Sequence, residues 1–405
     1  MTELFTLIPP AELAAFLAAG IVLNLTPGAD VMFATASGLQ GGARAGVVAG
    51  LGVGLGGLLH VTLAVLGVVW TIWSLDLLRA IAARYSLGAS LGWHYLTGGK
   101  GAPEVPPVVL ISTVSAIGAL TGLVTAVMLL ALTALERLGG GAPNDALLMK
   151  NLVFLFGHLL VNITLYYGVA MVYEILPAYT GRPWKTNKLV ALAWNVVLVL
   201  VITAYFHHLY MDFVQLRWLQ VIGQLSSYLS SIPAAAMSIL GALALVYRAR
   251  MKWTIASSLL FLGVLGWTIG GIGAVIDSTV AVNLLFHNTL WVPAHFHTYF
   301  LMGLVLMVLG GCYHIVEALS GTQENRARSK WTLILIGVGG YGFLLMFYWS
   351  GMGSVPRRYA AYPAELSQGA TAAQVAVAFV AVFLAGLGIY IWEAGRRCWM
   401  ALRAR

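Results

Sequence analysis

The sequence predicts an all-α protein, a polytopic transmembrane helical bundle of about ten spans. Of its 405 residues, 60% are apolar and only 9% are charged, and the mean hydropathy is +0.88. Soluble domains carry about a quarter charged residues, so lipid must be the solvent for most of this surface. Apolar runs of this length have to be helical, because lipid cannot satisfy the open backbone of a strand. These observations exclude a soluble domain behind a signal peptide.

The spans are predicted from apolar runs that are bounded by charge, Gly and Pro. Residues 76–105 break this pattern, because charged residues are scattered through a weakly apolar stretch that ends in Gly and Pro. The predicted spans are 10–27, 46–73, 106–135, 149–176, 189–210, 215–247, 254–276, 289–318, 331–352 and 371–394.

The basic residues indicate how the spans are oriented. Clusters follow every second span, at 182–188, 248–252, 326–330 and 396–405. The positive-inside rule makes these ends cytoplasmic, which predicts a multi-pass protein of a prokaryotic inner membrane with a cytoplasmic C-terminus. The net charge of +8 therefore reports topology and not nucleic-acid binding. One exception is the pair Arg357 and Arg358, which falls on the opposite side.

Adjacent histidines occur inside the fifth predicted span, at His207 and His208. Neighbouring residues on a helix point about 100° apart, so both imidazoles can reach one ion only if a third ligand comes from another helix. His158 is the obvious third ligand. Three neutral imidazoles with an open coordination position suit copper or zinc that handles a small molecule. The alternative is a buried hydrogen-bonded pair without a metal.

A second histidine pattern, His295-Phe296-His297, lies in the eighth predicted span. Residues two apart on a helix project about 200° apart, so the two rings leave opposite faces and cannot bind one metal. They can bind two metals. A helix between two haems would use such a pair, with one axial ligand to each side.

Four motifs in order resemble the catalytic subunit of the haem-copper oxygen reductases and their nitric oxide reductase relatives, with the B-type branch most similar. They are the Gly-His of 157–158, the His207-His208 pair, HNTLWVPAHFH at 287–297 and SVPRRYAAYP at 354–363. The resemblance covers about 106–405 and implies the last eight of that family's twelve helices. It also implies a respiratory-chain oxidoreductase that takes part in electron transport.

The resemblance implies two haems and a copper, or a non-haem iron in the nitric oxide branch. His158, His207 and His208 would bind the copper or iron, His295 the high-spin haem and His297 the low-spin haem. Arg357 and Arg358 would hold haem propionates with His287 nearby, which explains the exception to the charge rule. The implied partners are a cytochrome c or cupredoxin-type donor acting through a small second subunit, membrane lipid, and O2 or NO as substrate.

Asn162 is the first departure from the family's pattern. Most oxygen reductases have a tyrosine four residues after the first copper histidine, and the C-type branch places one six residues before the histidine pair, where this chain has Val201. Both tyrosines are absent here, as is the glutamate of cytochrome-linked nitric oxide reductases. Reduction of O2 needs four electrons, whereas coupling two NO molecules needs two. Asn162 therefore favours NO as substrate and a catalytic hydrogen-bonding role, with ordinary helix packing as the alternative.

The N-terminal segment is the second departure. Residues 10–70 are similar to the opening of the LysE/RhtB amino-acid exporters, with TPGAD at 26–30 and a Gly-rich second helix. We expect a two-helix segment at 1–70, a junction at 71–105 and oxidase-like helices at 106–405, with the low-spin haem lacking its second ligand. His60 would belong to the exporter-like part, and His94 in the junction stays a candidate ligand. An amino-acid exporter and an inactive fusion are the rival functions.

Overall fold

A computed structural model describes Gly42 and residues 68–99, 101–139, 143–359 and 362–403 of the chain. The predicted span at 10–27 and most of the one at 46–73 lie outside these residues, as do His60 and the TPGAD segment. Within the described residues the structure is helical, and β pairing is limited to one isolated bridge between Thr289 and Pro356.

The helices are numbered in chain order. They are α1 (Val68–Ala82), α2 (Leu87–Ser90), α3 (Trp93–Thr97), α4 (Pro107–Gly139), α5 (Ala146–Thr180), α6 (Lys188–Ala204), α7 (Arg217–Val246), α8 (Ile255–Asp277), α9 (Val280–Phe286), α10 (Trp291–Tyr299), α11 (Leu306–Ser320), α12 (Arg326–Met352) and α13 (Ser367–Arg403). A 3₁₀ turn, Tyr205–Leu209, follows α6, and a π-helical segment, Phe300–Val305, joins α10 to α11.

Eight helices among the described residues are long and apolar enough to cross a membrane. They correspond one to one with the last eight predicted spans, which confirms the all-α multi-pass fold for this part of the chain. Their bounds are Pro107–Glu136, Ala146–Thr180, Lys188–Leu209, Arg217–Val246, Ile255–Asp277, Trp291–Ser320, Arg326–Met352 and Thr371–Arg403.

Local capping residues explain where several spans begin. The Asp145 carboxylate accepts a hydrogen bond from the backbone N–H of Leu148 at 2.6 Å and starts α5. Thr254 and Ser257 form a reciprocal capping box at the start of α8. Such caps pair the backbone N–H groups that the first helical turn leaves free.

Two spans are longer than predicted at the same end of the bundle. Helix α12 begins at Arg326 instead of 331, and α13 continues to Arg403 instead of 394. The reason is Glu393, which is fully buried and ion-paired with Arg328 and Arg396. Because these charges are paired, both helices can continue beyond their apolar stretches. Hydropathy alone does not predict such an extension.

Helix α8 packs unusually close to the helix that carries His295 and His297. A Cβ on Gly266 would lie 2.1 Å from the backbone oxygen of Met302, and one on Gly270 would lie 2.5 Å from Cα of Tyr299. Only glycine permits this approach. The π-helical segment lies along the same contact, and its extra residue per turn changes the register between α10 and α11.

The predicted junction, 71–105, contains three helices. Helix α1 runs through its start, with Asp76 and Arg79 exposed and paired, and packs on α4. Helix α3 packs on α6, where the Trp93 indole donates to the Asn195 side chain at 3.0 Å. His94 lies in α3, next to Trp93 in the chain. The domain division at 70 and 105 itself stays a prediction.

Candidate active site

Three histidines from two spans converge inside the bundle. His158 lies in the middle of α5, and His207 and His208 lie in the 3₁₀ turn after α6. Nδ1 of His158 is 3.4 Å from Nε2 of His208, and Nε2 of His207 is 3.1 Å from that same atom. One ligand nitrogen from each ring lies within 4.8 Å of the other two. The structure thus brings together the three side chains predicted to share an ion.

The nitrogen separations fit a metal ion. Imidazole nitrogens bind such ions at about 2.0–2.1 Å, so separations of 3.1 and 3.4 Å correspond to bond angles at the metal of about 100° and about 110°. Tetrahedral and trigonal sites have angles in this range. His207 and His208 reach a common point although residues of a 3₁₀ turn advance about 120° each.

Ser227 orients one of the three rings. Its hydroxyl oxygen is 2.9 Å from Nδ1 of His207, which leaves Nε2 of that ring for the cluster. The same hydroxyl donates to the backbone carbonyl of Gly223 at 2.6 Å, so the Ser227 oxygen accepts from the His207 Nδ1–H. Metal-binding histidines commonly have such a partner on the second nitrogen. A sequence pattern could not assign Ser227 to His207, because the contact joins α7 to the turn after α6.

His295 lines the same inner cavity as the three histidines. The cavity has a volume of about 360 Å³ and a mostly apolar wall that includes Val153, Gly157 and Val161. Nδ1 of His295 is buried and faces α8, where a Cβ on Gly273 would lie 2.9 Å away. Helix α8 therefore fixes one edge of the ring, while the cavity has room for a cofactor at the other.

His297 projects to another side of α10. Its Nδ1–H donates to the backbone carbonyl of Pro293 at 2.7 Å, which leaves Nε2 available as a ligand nitrogen. Its ring contacts Phe343 of α12, with ring centroids 5.8 Å apart. The two histidines therefore face different neighbours, as the two-residue spacing predicts.

An outer cavity of about 750 Å³ adjoins the inner one and shares His207, His208 and His295 with it. His287, Arg357 and Arg358 line the outer cavity. The loops that carry them are held together by the bridge between Thr289 and Pro356, by Leu290 N–H donating to Val355 O, and by Arg357 N–H donating to Asn288 O. The structure thus brings the three predicted propionate-binding residues to one cavity.

Positive charge is crowded in the outer cavity. Burial, and then the Arg357 guanidinium, lower the pKa of His287. Burial, and then the Arg358 guanidinium, lower the pKa of Arg357, whose buried Nε has no hydrogen-bond partner among the described residues. A bound carboxylate would supply that partner and relieve the repulsion, so these side chains fit a cofactor with acidic groups.

Asn162 also lines the inner cavity, one turn beyond His158. Its Nδ2 lies 3.4 Å from Nε2 of His158 and donates to the backbone carbonyl of the same residue at 2.8 Å. Its Oδ1 accepts from the Tyr166 hydroxyl at 3.5 Å. The amide therefore lies beside His158 as predicted, but at the ring nitrogen opposite the one that faces His208.

Two polar residues of the outer cavity were not predicted as site residues. The sequence does not predict Asp277 or Asn283 as site residues, yet both are buried in the cavity wall. Asp277 is the last residue of α8, and Asn283 lies in the short helix α9 that follows it. This position at the end of a span was the one signal in the sequence that could have identified them. Lys150 and Asp212, which are ion-paired at 2.8 Å, line the same cavity.

The family model described as cytochrome C and quinol oxidase polypeptide I matches residues 6–387. The match thus includes residues N-terminal to 106, where the sequence resemblance begins. A cytochrome c oxidase subunit 1 of Thermus thermophilus is 26% identical over 305 residues, which is 71% of this chain and 53% of that protein. A cytochrome c oxidase polypeptide 1 of Halobacterium salinarum is 28% identical over 255 residues, 62% of this chain and 41% of that protein.

A solved cryo-EM structure of a heme-copper terminal oxidase dimer has the same fold, with a TM-score of 0.58 at 19% identity. The alignment covers 73% of this chain and 57% of that one. The chain spans about half the length of the curated relatives it matches. Because the family match extends over nearly the whole sequence, the chain belongs to the cytochrome c and quinol oxidase polypeptide I family.

Proposed function

We propose that this chain forms the reaction site of a membrane haem-copper terminal reductase, in which electrons from a cytochrome c or cupredoxin-type donor reduce NO or O2. The observation that carries this proposal is the convergence of His158, His207 and His208 within 4.8 Å on a cavity that His295 also lines. Four imidazoles around one apolar cavity suit two metal centres that act on a small gas.

The histidines divide between the two centres. His158, His207 and His208 would hold copper, or non-haem iron, and His295 would hold the high-spin haem. His297 would hold the low-spin haem on another side of α10. The bound metals would supply the electrons and the Lewis acidity that reduction of a diatomic gas requires.

The chain's own residues prepare the cavity for that chemistry. Apolar side chains such as Val153 and Val161 limit water and leave room for a diatomic gas. Ser227 fixes the orientation of His207 at 2.9 Å. Arg357, Arg358 and His287 would bind the acidic groups of haem at the outer cavity, where their crowded charge favours anions.

NO is the favoured substrate because of Asn162. This side chain can donate and accept hydrogen bonds, but it cannot supply the electron that a phenol at the same position would provide for O2. Coupling two NO molecules to N2O takes two electrons, two protons and releases one water, so no organic electron source is needed. The contact between Asn162 and His158 supports a role in shaping the site.

The partners and location follow from the same proposal. The electron donor would act through a small second subunit at the membrane surface nearest Arg357. The basic clusters support a cytoplasmic position, in a prokaryote, for the opposite surface and the C-terminus. We expect the low-spin haem to lack its second ligand among the described residues, where the candidate His94 lies in the short helix α3.

The optical spectrum and metal content of the purified full-length chain test this proposal. A haem Soret band together with copper or iron beyond the haem iron is expected, followed by NO consumption with reduced cytochrome c as donor. A spectrum with no Soret band would remove the reductase and leave the amino-acid exporter, for which uptake in vesicles is the assay. Haem binding without consumption of either gas would identify an inactive fusion.

A further inference from the structure

The 3₁₀ turn that carries His207 and His208 begins at Tyr205, a buried residue. Residues three apart in a 3₁₀ helix lie on the same face, so Tyr205 and His208 project to the same side of the turn. The Tyr205 hydroxyl donates to Oδ1 of Asn151 in α5 at 2.9 Å. On that side, Nε2 of His208 lies 3.4 Å from Nδ1 of His158, also in α5. One face of the turn therefore meets α5 at two residues, Asn151 and His158.

These two residues share a face of α5. They are seven residues apart, which is nearly two helical turns and about 10 Å along the helix axis. Phe154 lies between them, three residues after Asn151 and four before His158, and so belongs to the same face. Its ring stacks on that of His208, with centroids 5.3 Å apart. The turn thus lies along one face of α5, with Asn151 at one end of the contact and His158 at the other.

The side chain of Asn151 is fixed within its own helix. Its Nδ2 donates to the backbone carbonyl of Leu147 at 2.9 Å, which directs Oδ1 toward the turn. Besides the Tyr205 hydroxyl, Oδ1 accepts a hydrogen bond from Nε2 of Gln215 at 3.2 Å. An amide oxygen has two lone pairs, so both are used. A single side chain of α5 therefore binds the segment that carries the histidines both at its start and beyond its end.

The opposite side of the turn packs on α7. Ser227 lies 2.9 Å from Nδ1 of His207, and a Cβ on Gly223 would lie 3.1 Å from the backbone nitrogen of His207. These contacts fix the turn relative to α7 and not relative to α5. On the α5 side, Lys150 also pairs with Asp212 at 2.8 Å, but the Lys150 side chain is 57% exposed, and exposed ion pairs contribute little. The contacts of Asn151 are thus the main polar link between α5 and the segment, apart from the histidines.

We propose that Asn151 is a positioning residue of the three-histidine site and that, with Tyr205, it sets the distance between His158 and His208. The proposal rests on the proposed function, because it assumes that these histidines share an ion. Ligand nitrogens from two helices can bind one ion at bond lengths of about 2.0–2.1 Å only if the helices hold them close together. The hydrogen bond between Asn151 and Tyr205 holds α5 against the turn without the ion, so metal binding has less ordering to pay for.

Copper binding by the purified full-length chain tests the proposal. The affinity for Cu⁺ is measured by competition with a chelator. The infrared stretch of CO bound to that Cu⁺ reports how the copper ligands are arranged. We expect Asn151→Leu and Tyr205→Phe to lower the affinity by about tenfold or more and to shift or broaden the CO band. Because both substitutions remove the same contact, the double variant should bind Cu⁺ no more weakly than Asn151→Leu alone.

Asn195→Leu is the matched control. Asn195 lies in α6, donates to the backbone carbonyl four residues earlier at 2.8 Å and accepts from the Trp93 indole at 3.0 Å. Its contacts resemble those of Asn151, but they join α6 to α3 and not the turn to α5. Asn195 also donates to Leu91 O at 2.8 Å, so its loss should lower the melting temperature at least as much as Asn151→Leu. Its Cu⁺ affinity and CO band should be those of the wild type.

Wild-type affinity and an unchanged CO band in Asn151→Leu and Tyr205→Phe would overturn the proposal. Equal losses in Asn195→Leu would also overturn it, because any weakening of the bundle would then release copper. If Asn151→Leu does not fold, Tyr205→Phe, which keeps the aromatic ring, decides between these outcomes. A wild-type chain that binds no Cu⁺ would show instead that the three histidines form no metal site. That result would contradict the proposed function, and the positioning role with it.

Discussion

The amide of Asn162 lies against the nitrogen of His158 that is turned away from the other two histidines. Nδ2 of Asn162 is 3.4 Å from Nε2 of His158, whereas Nδ1 of His158 is 3.4 Å from His208. The hydrogen bond from Nδ2 to the His158 backbone carbonyl, at 2.8 Å, fixes which end of the amide faces the ring. If Nδ1 of His158 binds the ion, Nε2 of that ring carries the hydrogen, so the two facing nitrogens are both donors and Asn162 contacts the ring by packing. Asn162 is not itself a ligand of the shared ion.

Replacing Asn162 by alanine should slow NO reduction by up to about 100-fold, because the side chain that packs against the His158 ring is lost and a small displacement of a reacting group can cost that much. Haem content should not change, because Asn162 contacts His158 and not His295. Asn162→Tyr should not restore O2 turnover by itself, since a cross-link and a proton path must also form. The measurements are NO and O2 consumption at matched haem content.

Thr164→Val is a suitable control for this prediction. The Thr164 hydroxyl donates to the backbone carbonyl of Val161 at 2.7 Å, two residues from Asn162 on the same helix, and does not contact His158. This variant should retain wild-type turnover. Fast O2 reduction by the unmutated site, exceeding NO reduction and with no organic radical elsewhere, would contradict the role assigned to Asn162.

The positions of the spans could be predicted because they depend on local sequence, and the histidines of the cluster because of their residue type and their place inside those spans. The length of an apolar run defines a span. Ionisable side chains inside a span are energetically unfavourable, so three histidines there indicate a function. The exact contacts could not be predicted. The i+4 spacing places Asn162 on the same helix face as His158. It does not predict the side-chain rotamer of Asn162, which is fixed by the hydrogen bond from its amide to the His158 backbone carbonyl.

Contacts between segments that are far apart in the chain could not be predicted from the sequence either. Ser227 meets His207 only because α7 packs on the 3₁₀ turn, and Arg357 meets Asn288 only because two loops pair through a single bridge. Asp277 falls just beyond the predicted span at 254–276, where an aspartate is expected at the surface. The close packing of α8 buries it at 8% exposure.

Removing one imidazole from the cluster should release its ion. We expect His207→Ala to lower copper or non-haem iron content by more than about tenfold, because loss of a direct ligand costs at least as much as loss of a partner behind it. Haem should remain, since His295 is unchanged. Elemental analysis beside the optical spectrum of one sample measures both.

His314→Ala is the control for this loss. His314 also lies in a span, but its Nδ1 is hydrogen-bonded to the Tyr179 hydroxyl at 2.8 Å, outside the cluster. Its removal should leave the metal content at the wild-type value. Equal metal content in the wild type and His207→Ala would mean that the three histidines do not share an ion.

Ser227→Ala should weaken metal binding without abolishing it. The hydroxyl holds Nδ1 of His207 at 2.9 Å, so its loss frees the ring to rotate, and we expect affinity to fall by about 10- to 100-fold. Competition with a chelator measures the change. Ser238→Ala is the matched control. Ser238 lies on the same helix and also donates to the backbone carbonyl four residues earlier, but its hydroxyl contacts Tyr173 and not a histidine of the cluster. Similar losses in both variants would point to helix α7 as a whole and not to the His207 contact.

Gly270→Ala should disturb the haem-binding helix, whereas Gly271→Ala should be tolerated. A Cβ on Gly270 would lie 2.5 Å from Cα of Tyr299, a backbone atom that cannot move without shifting α10 and His295 with it. A Cβ on Gly271 would have its nearest neighbour at 3.8 Å, an ordinary van der Waals contact. Overpacking of this kind costs about 1–3 kcal/mol, so Gly270→Ala should lower the melting temperature and shift or diminish the Soret band. Gly271→Ala should match the wild type in both. The two glycines are adjacent and both buried, so equal effects would show that the close contact between α8 and α10 does not position His295.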